Sequence, residues 1–158
     1  VNDDDTDAVD VYAAKMTLDV ALKLGLDEFS YGSCGPAAVA INRVLFGGKG
    51  RYIVASRKSD RSGHVAVWNK GSLFDYHGLA DFNTMAAYVD HARFAIVSDV
   101  RETTVVKHFC PSYCLPIAHA EAILERAVKL IAENGMMTNK GLQRERKKLE
   151  RELTRDEQ

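Results

Sequence analysis

Apolar residues recur at helical spacing near the N-terminus, where Val9, Tyr12, Ala13, Met16, Val20 and Leu24 follow a period of about 3.6 residues. Thr6 or Asp7 supplies an N-cap and Gly25 stands where a helix end favours glycine, so the pattern predicts a packing helix ending at about Leu24. The acidic run 2–5 ahead of it is expected to fray. A second segment, 37–46, is apolar or small at almost every position and stops at Gly47-Gly48. It predicts a central buried helix that starts at Cys34 or just after it, with Pro36 early enough for its missing N–H to do no harm.

Beyond Gly48 the period changes to two. Segments 52–55, 64–68, 73–76, 94–97 and 104–109 are short, β-branched or aromatic, and separated by turn residues, which predicts strands. Asn69-Lys70-Gly71 joins two of them as a hairpin, and Asn83 or Thr84 caps a short helix through about His91. A further helix over 119–134 places Ile123, Ala127, Leu130 and Ile131 on one side. Residues 135–141 interrupt it. Segment 142–157 is then densely charged, with only Leu142, Leu149 and Leu153 apolar. That narrow stripe suits a solvated terminal helix, or one that docks on a protein partner or a second copy of the chain. Helices and strands are segregated rather than alternating, which is an α+β pattern. The expected organisation is a single domain over 1–134 and a charged helical tail over 135–158.

Composition narrows the function classes. The 158 residues, 46% of them hydrophobic, suffice for one core without disulfides or a structural metal. Lysine and arginine number 21 against 22 aspartate and glutamate, a formal charge of −1, so neither nucleic acid nor an anionic membrane is an expected partner. No apolar run approaches the ~20 residues of a membrane span, and residues 1–10 are acidic rather than signal-like. Three cysteines, an odd number, fit a reducing compartment better than a disulfide scaffold, and a cytoplasmic location is the expectation.

Among the cysteines, Cys34 has the position of a nucleophile. A thiol at a helix start faces the positive end of the macrodipole, which raises its thiolate fraction. The same backbone N–H groups can hold an oxyanion, and Gly35 is expected to leave the approach to them open. Such a thiol needs a base, itself oriented by a polar group. His64 begins a predicted strand and Asp75 lies on the next. A hairpin loop of two or four residues puts Asp75 on the face of His64, whereas three residues put Tyr76 there. The even register is favoured, and the face then shared by His64, Ala66, Leu73 and Asp75 is small enough for a helix carrying Cys34 to approach. His77 and Asp81 are the substitute base and orienter.

Ser33-Cys34-Gly35-Pro36-Ala37-Ala38 opening an apolar helix, Gly63-His64-Val65-Ala66-Val67 as a strand, and Phe74-Asp75 on the returning strand together resemble the papain-like cysteine peptidase superfamily. The closest branch by motif is the bacterial one that contains leader-processing peptidases. The resemblance covers about residues 31–78. It implies a papain-like α+β fold in which a buried helix with cysteine at its N-terminus packs on a small antiparallel sheet. It also implies Cys34 as nucleophile, His64 as general base and then acid, and Asp75 as the group that orients His64.

The superfamily usually supplies a glutamine upstream of the cysteine, and 27–33 contains none. Ser30, Tyr31 or Ser33 then substitutes, or backbone alone serves. The short interval between Cys34 and His64 predicts a reduced substrate site. The expected activity is that of a hydrolase or acyl transferase of the peptidase, amidase or deamidase type, a thiol protease in the broad sense, acting without a cofactor on a peptide or protein substrate. The alternative is a catalytically inactive scaffold within a larger assembly.

His108, Cys110, Cys114 and His119 form a second group of chemistry-bearing residues. Their types suit zinc, but the Cys-x₃-Cys spacing matches no common finger pattern, and structural zinc sites normally draw ligands from separate segments. No metal is expected there, and packed or exposed thiols are favoured over a Cys110–Cys114 disulfide. His91 suits a helix C-terminus. Trp68 and Tyr76 suit hairpin or core positions better than a stacking platform.

Overall fold

The computed structural model describes residues 3–30, 33–56, 63–80 and 96–157. Helix α1, Asp3–Leu24, leads through a 3₁₀ turn, Leu26–Ser30, to α2, Cys34–Leu45. Strands β1, Arg51–Ser56, β2, Gly63–Asn69, β3, Ser72–Asp75, and β4, Gly78–Ala80, follow. Strand β5, Ile96–Val100, precedes α3, Glu102–Phe109, α4, Ile117–Asn134, and α5, Asn139–Glu157. The described strands form one antiparallel sheet in the order β4-β3-β2-β1-β5. The architecture is α+β. The predicted helix over 83–91, with His91 and Asp81, lies outside the described residues, as does Tyr31.

Helix α2 is the centre of the core. Seven consecutive residues from Gly35 to Ile41, and Asn42 after them, are buried. They pack with Val65, Val67 and Phe74 of the sheet and with Ala120, Ile123, Leu124 and Ala127 of α4. Gly47 and Gly48, at φ +58° and +80°, end the helix in the left-handed region that favours glycine. Asn42 then ties the helix to the start of β1, donating to the Gly50 carbonyl at 3.0 Å and accepting from the Gly50 N–H at 2.8 Å.

Four expectations are corrected. Segment 104–109, predicted as a strand, lies in helix α3. Its β-branched residues favour a strand only weakly, and the helical alternative buries Val105 with Phe109 half-buried one turn on. Glu102 in the first turn is held by Arg43 at 3.1 Å and by the Tyr52 hydroxyl at 2.8 Å. On α1 Leu24 is buried as expected and Val20 packs on the core, but the other buried apolar residues are Ala14, Leu18 and Ala21, while Tyr12 is 70% exposed. The helix carries apolar residues on more than one side, and contact with α4 and α5 selects the face. The helix also begins at Asp3, ahead of the N-cap expected at Thr6 or Asp7.

The fourth correction concerns residues 135–158. Leu142 and Leu149 are 3% exposed and Leu153 is half-buried, all within the main core against α1 and its neighbours. Arg126 of α4 reaches Glu145 at 3.0 Å and also pairs with Glu152, while Arg146 reaches Asp27 and Glu28 at 3.2 and 3.1 Å. Helix α5 is therefore part of the folded domain, and its stripe is covered by this chain. Replacing Leu149 with Ala is expected to cost about 2–5 kcal/mol in urea unfolding. A solvated tail would change by less than ~0.5 kcal/mol.

The start of α2 is held by an unusually close approach. A Cβ added at Gly35 would overlap the Phe109 carbonyl oxygen and stand 2.6 Å from its carbon. Gly35→Ala is expected to lower stability by about 1–3 kcal/mol through overpacking. A melting temperature equal to that of the unsubstituted chain would overturn this contact.

Candidate active site

The hairpin loop settles the register on which the site depends. Lys70 and Gly71, at φ +49° and +83°, form a two-residue turn of the kind that joins right-twisted strands, and Asn69 faces Ser72. Val67 therefore pairs with Phe74. Continuing that register sets Asp75 across from Ala66, on the face that also carries His64. His64 Nε2 lies 2.8 Å from Asp75 Oδ2, with both residues buried. A carboxylate only accepts, so Nε2–H is the donor. The other carboxylate oxygen, Oδ1, accepts the backbone N–H of His77 at 2.8 Å. His77, the substitute base, thus acts through its main chain in fixing Asp75.

The sequence predicts that α2 approaches that shared face, and it does not. It packs on the alternate residues Val65, Val67 and Phe74, while Ala66 and Leu73 form a separate cluster with Ile53 and Ala55. Cys34 meets His64 because it is the first residue of α2 and lies at the start of β2. Its Sγ is 3.7 Å from the Gly63 carbonyl and hydrogen-bonds the His64 ring. Nε2 is engaged by Asp75, so Nδ1 is the nitrogen left to face sulfur. The Tyr76 ring stands edge-on to His64, with centroids 5.8 Å apart.

Electrostatics follow from this arrangement. Burial pushes the Cys34 thiol up, but the His64 hydrogen bond and charge, with backbone N–H groups of Val65 and of Cys34 itself, outweigh it and hold the thiol below its ordinary 9.0. Burial pushes His64 down, yet Asp75 and Cys34 raise it to about 9. The two shifts belong to one coupled pair, in which each group favours the charged form of the other.

Two residues expected at the oxyanion position are otherwise engaged. Ser33 is buried, accepts the Leu115 N–H at 3.2 Å and contacts Cys114, while making no capping bond to α2. Gly35 is buried beneath the Phe109 carbonyl instead of opening an approach. The backbone N–H groups of Val65 and then of Cys34 itself are the ones directed at the Cys34 sulfur. The stretch from Phe109 to Leu115 that walls the helix start gave no local signal, because the Ser33–Leu115 bond spans 82 positions.

His108, Cys110, Cys114 and His119 do not converge. His108 is exposed on the last turn of α3, and His119 lines a crevice with Leu24, Phe29 and Leu149. Among the described residues no three His, Cys, Asp or Glu side chains are grouped to hold a metal ion. None of the three cysteines is in a disulfide. Burial and then the charge of Cys114 push the Cys110 thiol up to about 11. No helix among the described residues is long and apolar enough to cross a membrane. Comparison with protein-family models, with curated proteins and with solved structures finds no match to this chain.

The linkage signs set a pH test. The His64 contribution to stability is full below its ordinary 6.5 and is lost as pH rises through about 9. That of Cys34 is full above 9.0 and is lost as pH falls through its lowered value. Alkylation of Cys34 by iodoacetamide is accordingly expected to titrate below 9.0, and His64→Ala to move the midpoint upward. A midpoint unmoved by that substitution would show that the two side chains do not share a proton.

Proposed function

We propose that the protein is a cysteine-dependent hydrolase or acyl transferase of papain-like arrangement, acting on an amide in a peptide or protein. The observation that carries this is the chain from the half-buried Cys34 through the buried His64 to the buried Asp75, in which Asp75 holds Nε2. A helix presenting the nucleophile at its start, packed on an antiparallel sheet whose neighbouring strands carry the histidine and the aspartate, supports the same reading.

In this mechanism the Cys34 thiolate attacks the carbonyl carbon, and the oxyanion is met by the Cys34 N–H at the start of α2. His64, protonated, gives its proton to the leaving amine, which departs to leave a Cys34 thioester. The imidazole then deprotonates water or another acceptor nucleophile, which displaces the acyl group and returns the sulfur to the thiolate. Asp75 fixes the ring and stabilises the imidazolium. With Ser33 and Gly35 engaged in packing, the site suits a narrow acyl group better than an extended chain bound along both sides. Three cysteines without a disulfide fit a reducing compartment, so a cytoplasmic setting belongs to the proposal.

An inert interaction protein would need an available surface. The one expected for it, the leucine stripe of α5, is packed within this chain. Activated p-nitrophenyl esters of short acyl chains test the enzymatic reading. The expected result is a burst of about one nitrophenolate per protein with the acyl group mapped to Cys34. Cys34→Ala should abolish the burst, and Asp75→Asn should slow it by roughly 10²–10⁴. A chain that gives no burst, and whose Cys34 alkylates no faster than Cys110 and Cys114, is not this enzyme.

A further inference from the structure

Two thiols outside the proposed mechanism lie on the stretch that walls the nucleophile. Helix α3 ends with the Phe109 carbonyl pressed against Gly35, one residue after Cys34, and Cys110 follows directly. The chain then turns, with the Cys114 N–H donating to the Pro111 carbonyl at 3.0 Å. It returns to the helix start, where Leu115 N–H meets Ser33 Oγ at 3.2 Å. Ser33 and Leu115 are thus joined by one hydrogen bond, and the next residue inward on each side is a cysteine: Cys34 follows Ser33 and Cys114 precedes Leu115. The Cys114 side chain also contacts Ser33. Phe109 and Leu115 anchor the two ends of the segment, while Tyr113 at its tip is 86% exposed.

We propose that Cys114 is a resolving cysteine for Cys34, so that peroxide switches the site off reversibly through a Cys34–Cys114 disulfide. The switch rests on Cys34 being the reactive thiolate proposed above. The thiolate attacks one oxygen of hydrogen peroxide, the O–O bond breaks, and Cys34 becomes a sulfenic acid while the released hydroxide takes the proton held on His64. The Cys114 sulfur then attacks the Cys34 sulfur, the S–O bond breaks, and water leaves with the Cys114 proton. Two thiols lose two electrons and one peroxide is reduced to two waters. The order is set by chemistry at each sulfur. Cys34 is held toward thiolate by His64, whereas burial, and then the Cys34 charge, outweigh the Ser33 hydrogen bond and keep Cys114 a neutral thiol until its partner is oxidised. The half-buried Cys114 sits in a turn, and the residue after it, Leu115, is already bonded to Ser33 beside Cys34.

The test treats the full chain with equimolar hydrogen peroxide near pH 7, blocks remaining thiols with N-ethylmaleimide, and maps peptides without reduction. A cross-linked peptide containing Cys34 and Cys114, two hydrogens lighter than its parts, is expected. Iodoacetamide labelling of Cys34 should fall by at least about tenfold and be restored by dithiothreitol. In Cys114→Ser, treated with several equivalents of peroxide so that a second one is available to the sulfenic acid, the cross-link is absent and Cys34 proceeds to sulfinic acid, which dithiothreitol does not reverse. A Cys34–Cys110 or Cys110–Cys114 cross-link, or irreversible oxidation of Cys34 in the unsubstituted chain, overturns the switch. The labelling rate of the reduced protein separates the two proposals. Slow labelling removes the nucleophile and the switch with it, whereas fast labelling without a cross-link to Cys114 removes the switch alone.

Discussion

Everything in this molecule that bears on chemistry depends on how the first turn of α2 is clamped. Ser33, Cys34 and Gly35 are gripped on one side by the stretch from Phe109 to Leu115 and on the other by the start of β2. The absence of a side chain at Gly35 allows the Phe109 carbonyl into a space that any Cβ would fill. Cys34 is thereby positioned by a backbone-to-backbone contact, which is stiffer than a side-chain contact. The buried length of the helix behind it, packed on α4 and the sheet, keeps that first turn from sliding.

Within this clamp the site solves a problem of burial. A thiolate and an imidazolium are each costly away from water, and burial opposes the charged form of both. The cost is offset by chaining the groups. Asp75 faces His64, His64 faces Cys34, and the second oxygen of Asp75 is satisfied by the His77 N–H. Among the described residues no buried side-chain nitrogen or oxygen lacks a hydrogen-bond partner. A half-satisfied chain of this kind would be worse than an apolar core.

Much of the site was legible in one dimension because it rests on short-range rules. The helix start at Cys34, its glycine stop, and the left-handed turn at Lys70-Gly71 are each written within a few residues, and the turn length sets which side chains share a face. Segment 104–109 misled because β-branched residues carry only a modest strand preference. The contacts that hold it as α3, Glu102 to Arg43 and Phe109 to Gly35, come from far along the chain. The face of α1 was misplaced for a related reason. Several faces of that helix are apolar enough to be buried, and its neighbours choose among them.

The amino-acid sequence by itself determined the α+β class, the principal helices and the hairpin, and it narrowed the partner of His64 to Asp75 or Tyr76, since each follows from spacing and turn chemistry between near neighbours. Tertiary structure alone decided that Cys34 reaches His64 end-on at the start of a strand, that Ser33 and Gly35 serve packing, and that the leucines of α5 are covered from within. It also set the stretch from Phe109 to Leu115, with its two cysteines, against the start of α2. Such contacts join residues 82 positions apart at Ser33 and Leu115 and 118 apart at Glu28 and Arg146, and no local pattern encodes them, because they form only when independent elements compete for one buried surface.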